Sequence, residues 1–101
     1  MKVIIRKAIK KDADSILKLI KELALFEGEA NEVILTKESI ERDGFGREKL
    51  FNCFIAEYDF RVVGIALFYA RYSTWKGPTL HLEDLIVTES MKGRGIGKQL
   101  Y

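Results

Sequence analysis

The sequence predicts a single α/β domain over residues 1–101, with the element order β-α-α-β-β-β and the start of a further helix. Three observations support this prediction: a β-branched segment at residues 3–9, an amphipathic segment after Asp12, and three apolar segments between residues 53 and 87. The chain has 101 residues, is 48% hydrophobic and contains one proline, which is typical of one small globular domain.

Two helices are predicted in the first half of the chain. The first has Asp12 as its N-cap, Lys18, Lys21 and Glu22 on its polar face, and its end near residues 27–28. Its apolar positions recur at helical spacing and are Ala13, Ile16, Leu17, Ile20, Leu23 and Ala24.

The second helix is predicted to begin after Thr36. Ser39 occupies the third helical position, where a capping box has Glu or Gln, so we expect only half of that motif. The helix should end by Gly44 or Gly46.

Three strands are predicted in the second half. Residues 53–58 and 61–72 indicate two antiparallel strands around a tight turn at Asp59-Phe60, and residues 79–87 a third strand after a loop at residues 75–78. A strand that leads through a glycine loop into a helix implies a crossover to a further parallel strand. The predicted sheet is therefore mixed.

Composition excludes some classes of partner. The net charge is +2, from 17 basic and 15 acidic residues, which gives no support for nucleic-acid or membrane binding. There is no run of 18 apolar residues and no signal-peptide pattern at the N-terminus. The single cysteine, Cys53, has no partner for an internal disulfide, so we expect a reducing, cytoplasmic location.

The segment MKGRGIGKQL places Gly93, Gly95 and Gly97 between a strand and a helix. Backbone N–H groups of such a loop can point at an anion, and glycine lets the backbone approach it closely. Neither the P-loop spacing nor the G-x-G-x-x-G spacing is present. From the glycines alone, an ordinary strand-to-helix turn and an anion-binding loop are equally supported.

Glu83 and Asp84 are adjacent in an otherwise apolar strand. Because neighbouring strand residues point to opposite faces, at least one carboxylate should face a covered side of the sheet. It would be either a salt-bridged or edge-exposed structural carboxylate, or a base that attracts and deprotonates an amine. His81, on the Glu83 face, is interpreted as a packing residue, and Trp75 as either acceptor-pocket lining or loop packing.

These stretches together resemble the GCN5-related N-acetyltransferase (GNAT) superfamily. Its acetyl-CoA motif, [RQ]-x-x-G-x-[GA], is matched by residues 92–97, with Lys92 keeping the positive charge of the first position. IKELALFE, VILTKESIERDGFG, FYARYSTWKG and LHLEDLIV are similar to the diamine (spermidine/spermine) and thialysine acetyltransferase branch. Ser73 is similar to the thialysine members, since the polyamine enzymes have Asp there.

The resemblance implies a role for each matched position in transfer of an acetyl group from acetyl-CoA to a primary amine, with no metal. Glu83 would be the general base. Acceptor contacts would come from Phe26, Glu27, Trp75, Glu83 and Asp84. Donor contacts would come from Leu85, Ile86, Val87, Lys92, Gly93, Arg94, Gly95, Ile96, Gly97 and Lys98.

The resemblance also implies that this chain is the N-terminal part of a longer domain. The expected remainder would carry the parallel strand and the tyrosine that protonates the CoA thiolate, a role not assigned to Tyr101. The alternative hypothesis is a catalytically inactive acetyl-CoA-binding or dimerisation module. A homodimer is expected in either case, and the acceptor stays open among thialysine-like amino acids, diamines and polyamines.

Overall fold

The structure, a computed structural model that describes residues 2–101, has the predicted element order. The helices and strands are β1 (Ile4–Lys7), α1 (Ala13–Phe26), α2 (Lys37–Phe45), β2 (Asn52–Tyr58), β3 (Arg61–Ser73), β4 (Gly77–Val87) and α3 (Ile96–Leu100). The four strands form one sheet in the order β1-β2-β3-β4, and every pair is antiparallel. The α/β class is confirmed, and the parallel pairing of a mixed sheet is not among these strands.

Helices cover both faces of the sheet. Adjacent residues Ile55 and Ala56 of β2 point to opposite faces and belong to two different core clusters. On the Ile55 side, α1 and α2 contribute Ala13, Ile16, Leu17, Leu19 and Ile40. On the Ala56 side, the core is filled by the loop after β4 and by α3, through Met91, Ile96 and Leu100.

A β-bulge interrupts the pairing of β3 with β4. Leu67 pairs with Asp84 and the next residue, Phe68, pairs with Leu82, so Glu83 is an extra residue in β4. The alternation of side chains is therefore shifted beyond Glu83, and Ile86 packs into the α1 core. The bulge corrects the expectation that Glu83 and Asp84 lie on opposite faces.

The start of α1 differs from the prediction. Asp12 makes no side-chain cap for α1; its carboxylate accepts from the Ile9 N–H at 2.7 Å and closes a short 3₁₀ turn, Lys10–Asp12. That turn also ends β1 at Lys7, earlier than predicted.

Arg6 links this turn to the sheet. Its Nη1 and Nη2 donate to the two Asp12 oxygens at 2.8 and 2.9 Å, and its Nε donates to Glu57 at 3.0 Å. Asp12 is buried, and the Arg6 hydrogen bonds lower the pKa of its carboxyl despite that burial. The network holds β1, β2 and the start of α1 together.

Two other local predictions concern the cap of the second helix and the turn between β2 and β3; the first was wrong and the second is confirmed. The second helix has a complete reciprocal cap, because Ser39 Oγ accepts from the Thr36 N–H at 2.9 Å while Thr36 Oγ1 accepts from the Ser39 N–H at 3.1 Å. The expectation of half a capping box was wrong because a serine hydroxyl reaches the N-cap N–H as well. The tight turn at Asp59 and Phe60 is confirmed, with φ of 53° and 61°.

A carboxylate of α1 anchors the end of β4. Glu22 Oε1 accepts from the Thr88 hydroxyl at 2.8 Å, and Glu22 Oε2 accepts from the Glu89 N–H at 3.0 Å. Glu22 was predicted only to lie on the polar face of α1, and from there it fixes the helix to the segment that leads into the glycine loop.

We expect Asp12→Asn to lower the free energy of unfolding by about 2 kcal/mol, because it removes the charge paired with Arg6 in a buried position. Urea unfolding measures this loss. Asp14→Asn is the matched control, since the Asp14 side chain is 55% exposed and should change stability by less than about 0.5 kcal/mol. Equal losses in both variants would contradict the assignment.

The same pair predicts a pH dependence. Because the folded-state pKa of Asp12 is lowered, its contribution is present above the unfolded-chain pKa, about 4, and is lost as pH falls through the lower folded value. Unfolding free energy measured at decreasing pH should therefore fall less steeply in Asp12→Asn than in the unaltered protein. Parallel curves would contradict this expectation.

Replacing Glu22 with alanine should lower the free energy of unfolding by about 1 kcal/mol, because it leaves the Thr88 hydroxyl and the Glu89 N–H without their acceptor. Glu22→Gln keeps one acceptor oxygen and should lose about half as much. Hydrogen exchange at the Glu89 amide gives the local measurement and should accelerate in both variants. Lys21→Ala, an exposed neighbour on α1, should leave that amide unchanged.

Candidate functional site

A groove lies between the end of α1 and the end of β4. It encloses about 360 Å³ and is lined by Glu22, Leu23, Leu25, Phe26, Leu85, Ile86, Val87, Glu89 and Lys92. Three of the residues predicted to contact the donor, Leu85 to Val87, therefore lie on its wall. β4 is an edge strand of the described sheet, so the backbone of Leu85 to Val87 pairs with β3 on one side of the strand only.

The glycine loop continues this groove. A second cavity of about 270 Å³ is lined by Leu85, Val87, Met91, Lys92, Gly93, Gly95, Ile96 and Gly97. Leu85, Val87 and Lys92 line both cavities, so the groove and the loop form one continuous surface. All of the predicted donor residues except Arg94 and Lys98 line one or both of these cavities.

The glycines have two different functions in this loop. Gly93 and Gly95 have φ of +81° and +75°, a region that residues with a Cβ rarely adopt. Gly97 lies inside α3, where an added Cβ would meet Leu85 and Val87 at 3.9 Å, an ordinary contact. The conformational requirement for glycine is therefore at Gly93 and Gly95.

The other loop residues divide between core and surface. Ile96 is 1% exposed and fills the core below the loop, so its backbone, and not its side chain, is available to a ligand. Arg94 and Lys98 are exposed. Lys92 lies 3.1 Å from Glu89, and its ammonium is 4.9 Å from the centre of the Phe26 ring.

Three carboxylates, those of Glu27, Glu83 and Asp84, lie together beside the groove, since the charges of the first two act on Asp84. Asp84 precedes Leu85, and Glu27 follows Phe26. The pKa of Asp84 is raised by burial and further by the negative charges of Glu83 and Glu27. Glu83, the bulge residue, has a side chain that is 53% exposed. This end of the groove is therefore a negatively charged surface that suits a cation.

The structure brings together all of the predicted acceptor residues except Trp75. Phe26 lies on the groove wall. Trp75 is at the tip of the β3–β4 hairpin and is 94% exposed. Since Gly77 begins β4, the tip is roughly 20 Å along the strand from Asp84. Trp75 cannot contact the carboxylates of its own chain in this conformation.

Sequence reasoning missed the bulge and the Glu22 anchor. The apolar residues Leu80, Leu82, Leu85 and Val87 show the bulge, because their spacing of two, three and two breaks strict alternation at Glu83. No local signal marks Glu22, since its partners Thr88 and Glu89 are 66 and 67 residues away along the chain.

Three further features of residues 2–101 concern metal binding, the Cys53 thiol and membrane crossing. No group of three His, Cys, Asp or Glu side chains in this part of the chain could hold a metal ion. Burial raises the pKa of the Cys53 thiol to about 12, which leaves almost no nucleophilic thiolate. None of the described helices has the length and apolarity needed to cross a bilayer.

Comparison with known proteins connects this site to a family. The model of the Acetyltransferase (GNAT) family matches residues 14–101. The chain is 39% identical over 106 residues to a thialysine N-epsilon-acetyltransferase of Bos taurus, covering 97% of this chain and 62% of that protein. It is 42% identical over 103 residues to a spermidine/spermine N(1)-acetyltransferase-like protein 1 of Homo sapiens, covering 95% of this chain and 15% of that protein.

Solved structures show the same fold. An aminoglycoside acetyltransferase from an uncultured soil metagenomic sample, in complex with sisomicin, superposes with a TM-score of 0.74 at 22% identity, covering 97% of this chain and 64% of that one. A ribosomal-protein-alanine N-acetyltransferase from Brucella melitensis gives a TM-score of 0.72 at 20% identity, covering 99% and 66%.

The family match includes the groove, the carboxylates and the glycine loop, all of which lie within residues 14–101. The chain spans about 62% of the length of the thialysine acetyltransferase relatives from cattle and pig. The extent of the family match and the shared fold lead to one conclusion: this chain belongs to the GNAT family of acetyltransferases.

Proposed function

We propose that this protein transfers an acetyl group from acetyl-CoA to a primary amine of a small cationic acceptor. The observation that carries the proposal is the continuous surface that runs from the glycine loop along Leu85 to Val87 and ends beside the three carboxylates. A donor with phosphates at one end and a thioester at the other matches a surface of this kind. The residues present therefore fit acetyl-CoA.

The donor side would use backbone groups. N–H groups of residues 93–98 would bind the pyrophosphate, supported by the positive φ values of Gly93 and Gly95. Lys92 would add a positive charge at the junction of loop and groove. A backbone N–H from Leu85 to Val87 would point at the thioester oxygen and stabilise the negative charge that develops there.

The acceptor side would supply charge and a base. Acetyl-CoA supplies the acetyl thioester when bound. Glu83 would take a proton from the acceptor ammonium, either directly or through water, and so produce the neutral amine that attacks. Asp84 and Glu27 would hold a second positive charge of the acceptor.

A thialysine-like amino acid or a short diamine is the acceptor class that we propose first, ahead of long polyamines. Two curated relatives at 39% and 37% identity are named thialysine N-epsilon-acetyltransferases. Ser73, the position at which polyamine enzymes carry Asp, uses its hydroxyl oxygen to accept from the Trp75 and Lys76 N–H groups at 3.2 Å. The hairpin tip therefore offers no carboxylate at Ser73 for a distant ammonium.

We also propose a cytoplasmic homodimer. Tyr72, Trp75 and Leu80 of the β3–β4 hairpin are 74%, 94% and 71% exposed, an apolar surface that a second subunit would cover. The competing function, a module that binds acetyl-CoA without turnover, is distinguished by the experiments that follow.

Gly93→Ala should weaken acetyl-CoA binding about tenfold, because alanine at this φ moves the N–H groups that would bind the pyrophosphate. Isothermal titration calorimetry measures the affinity. Gly77→Ala is the matched control: Gly77 has the same φ of +81° and the same open surroundings, but lies in the hairpin. Both variants should lose similar stability, and equal losses of affinity would contradict the donor site.

Glu83→Gln should lower kcat for amine acetylation roughly a hundredfold and leave the acetyl-CoA affinity unchanged, because it removes the base and keeps the shape. Product formation is followed with thialysine, 1,3-diaminopropane and spermidine as acceptors. Saturable donor binding with no acetylated product from any amine would support the binding module instead. No donor binding by the folded chain would contradict both functions for this chain.

A further inference from the structure

The single histidine of the chain lies between an arginine and the proposed base. Arg71 Nη1 is 3.3 Å from His81 Nδ1, and His81 Nε2 is 3.6 Å from Glu83 Oε1. The three side chains therefore form a row along one face of the β3–β4 hairpin, with Arg71 from β3 and the other two from β4.

The Arg71 contact favours the imidazole tautomer that carries its hydrogen on Nε2. A guanidinium has only N–H donors and stays protonated in proteins, so His81 Nδ1 has to be the acceptor. A neutral imidazole with an acceptor at Nδ1 carries its hydrogen on Nε2. That nitrogen faces the Glu83 carboxylate.

Neighbouring groups hold the imidazole in place. His81 pairs with Tyr69 across the strands, and the two rings are 5.2 Å apart at an interplanar angle of 52°. Glu83 is in turn fixed in the backbone as the extra residue of the bulge. The separation of 3.6 Å is longer than a direct hydrogen bond, and such contacts at catalytic groups tighten when substrate binds.

We propose that His81 is a positioning residue for Glu83, an inference that rests on the acetyl-transfer function proposed above. Its Nε2–H holds Glu83 Oε1 and leaves Oε2 to accept the proton of the acceptor ammonium. In that step the ammonium N–H bond breaks, an O–H bond forms on Oε2, and the amine keeps the electron pair with which it attacks the thioester.

A neutral donor suits this position better than a cation. A lysine or arginine paired with Glu83 would stabilise the ionised carboxylate and weaken it as a base. It would also compete with the cationic acceptor for the same negative charge. An imidazole N–H orients the carboxylate and adds no positive charge.

The first test is ¹⁵N NMR of the histidine-labelled chain, in which His81 gives the only imidazole signals. At alkaline pH we expect a larger fraction of the Nε2–H tautomer in the folded chain than in the same chain unfolded in urea. Arg71→Gln should reduce that fraction, and Glu83→Gln should shift the Nε2 signal. The proposal would be overturned if the folded chain had the Nδ1–H tautomer. It would also be overturned if the Nε2 signal had the same position in Glu83→Gln as in the unaltered chain.

The second test compares two amide replacements. In His81→Gln, the side-chain amide nitrogen lies about as far from the backbone as Nε2 of the histidine and can still donate to Glu83. In His81→Asn the side chain is shorter, and its amide nitrogen lies only as far out as Nδ1. We expect kcat for thialysine to stay within about threefold in His81→Gln and to fall about tenfold in His81→Asn, with the KM for acetyl-CoA unchanged in both. Equal kcat in the two variants would overturn the proposal.

The two tests separate this inference from the proposed function. If the unaltered chain acetylates no amine, the proposed function fails for this chain, and the nitrogen spectrum still decides whether His81 is directed at Glu83. If the chain is active and the Gln and Asn variants are alike, the proposed function stands and the positioning role of His81 is wrong.

Discussion

The β-bulge at Glu83 is the constraint on which the site depends. One extra residue in β4 shifts the phase of every side chain that follows it. Asp84 and Ile86 consequently face α1, while Leu85 and Val87 face α3 and the glycine loop. Without the bulge, Ile86 would leave the core cluster that it completes, and Asp84 would lie on the side of the sheet away from Glu27.

The helix α1 connects the two halves of the groove. Its last turns supply Phe26 to the groove wall, and Glu22 binds the Thr88 hydroxyl and the Glu89 N–H just before the glycine loop. The Arg6–Asp12 ion pair fixes the other end of the same helix to β1. Both ends of α1 are thus held by charged groups, which sets its position over β4 more specifically than apolar packing alone would.

The fold was largely predictable, because its elements depend on local patterns. The spacing of Ile16, Leu17 and Leu23 specifies α1, and the Asp59-Phe60 turn lies where the two apolar strands imply it. The site was predictable only in part. Residue types at matched positions pointed to Glu83 and the glycine loop, whose roles stay predictions, whereas the Glu22 anchor depends on a contact between remote segments. Asp12 was assigned the wrong partner because a propensity for capping does not indicate which N–H group it will reach.

The adjacency of the proposed donor-facing and acceptor-facing residues limits how the backbone of the groove can change. Asp84 and Leu85 are consecutive, so one peptide unit would serve both the proposed acceptor side and the proposed donor side of the groove. A backbone change that adapted the protein to a new amine would displace the donor wall at the same time. The proposed site should therefore tolerate side-chain replacements that keep this backbone more readily than insertions or deletions in β4 beyond the bulge.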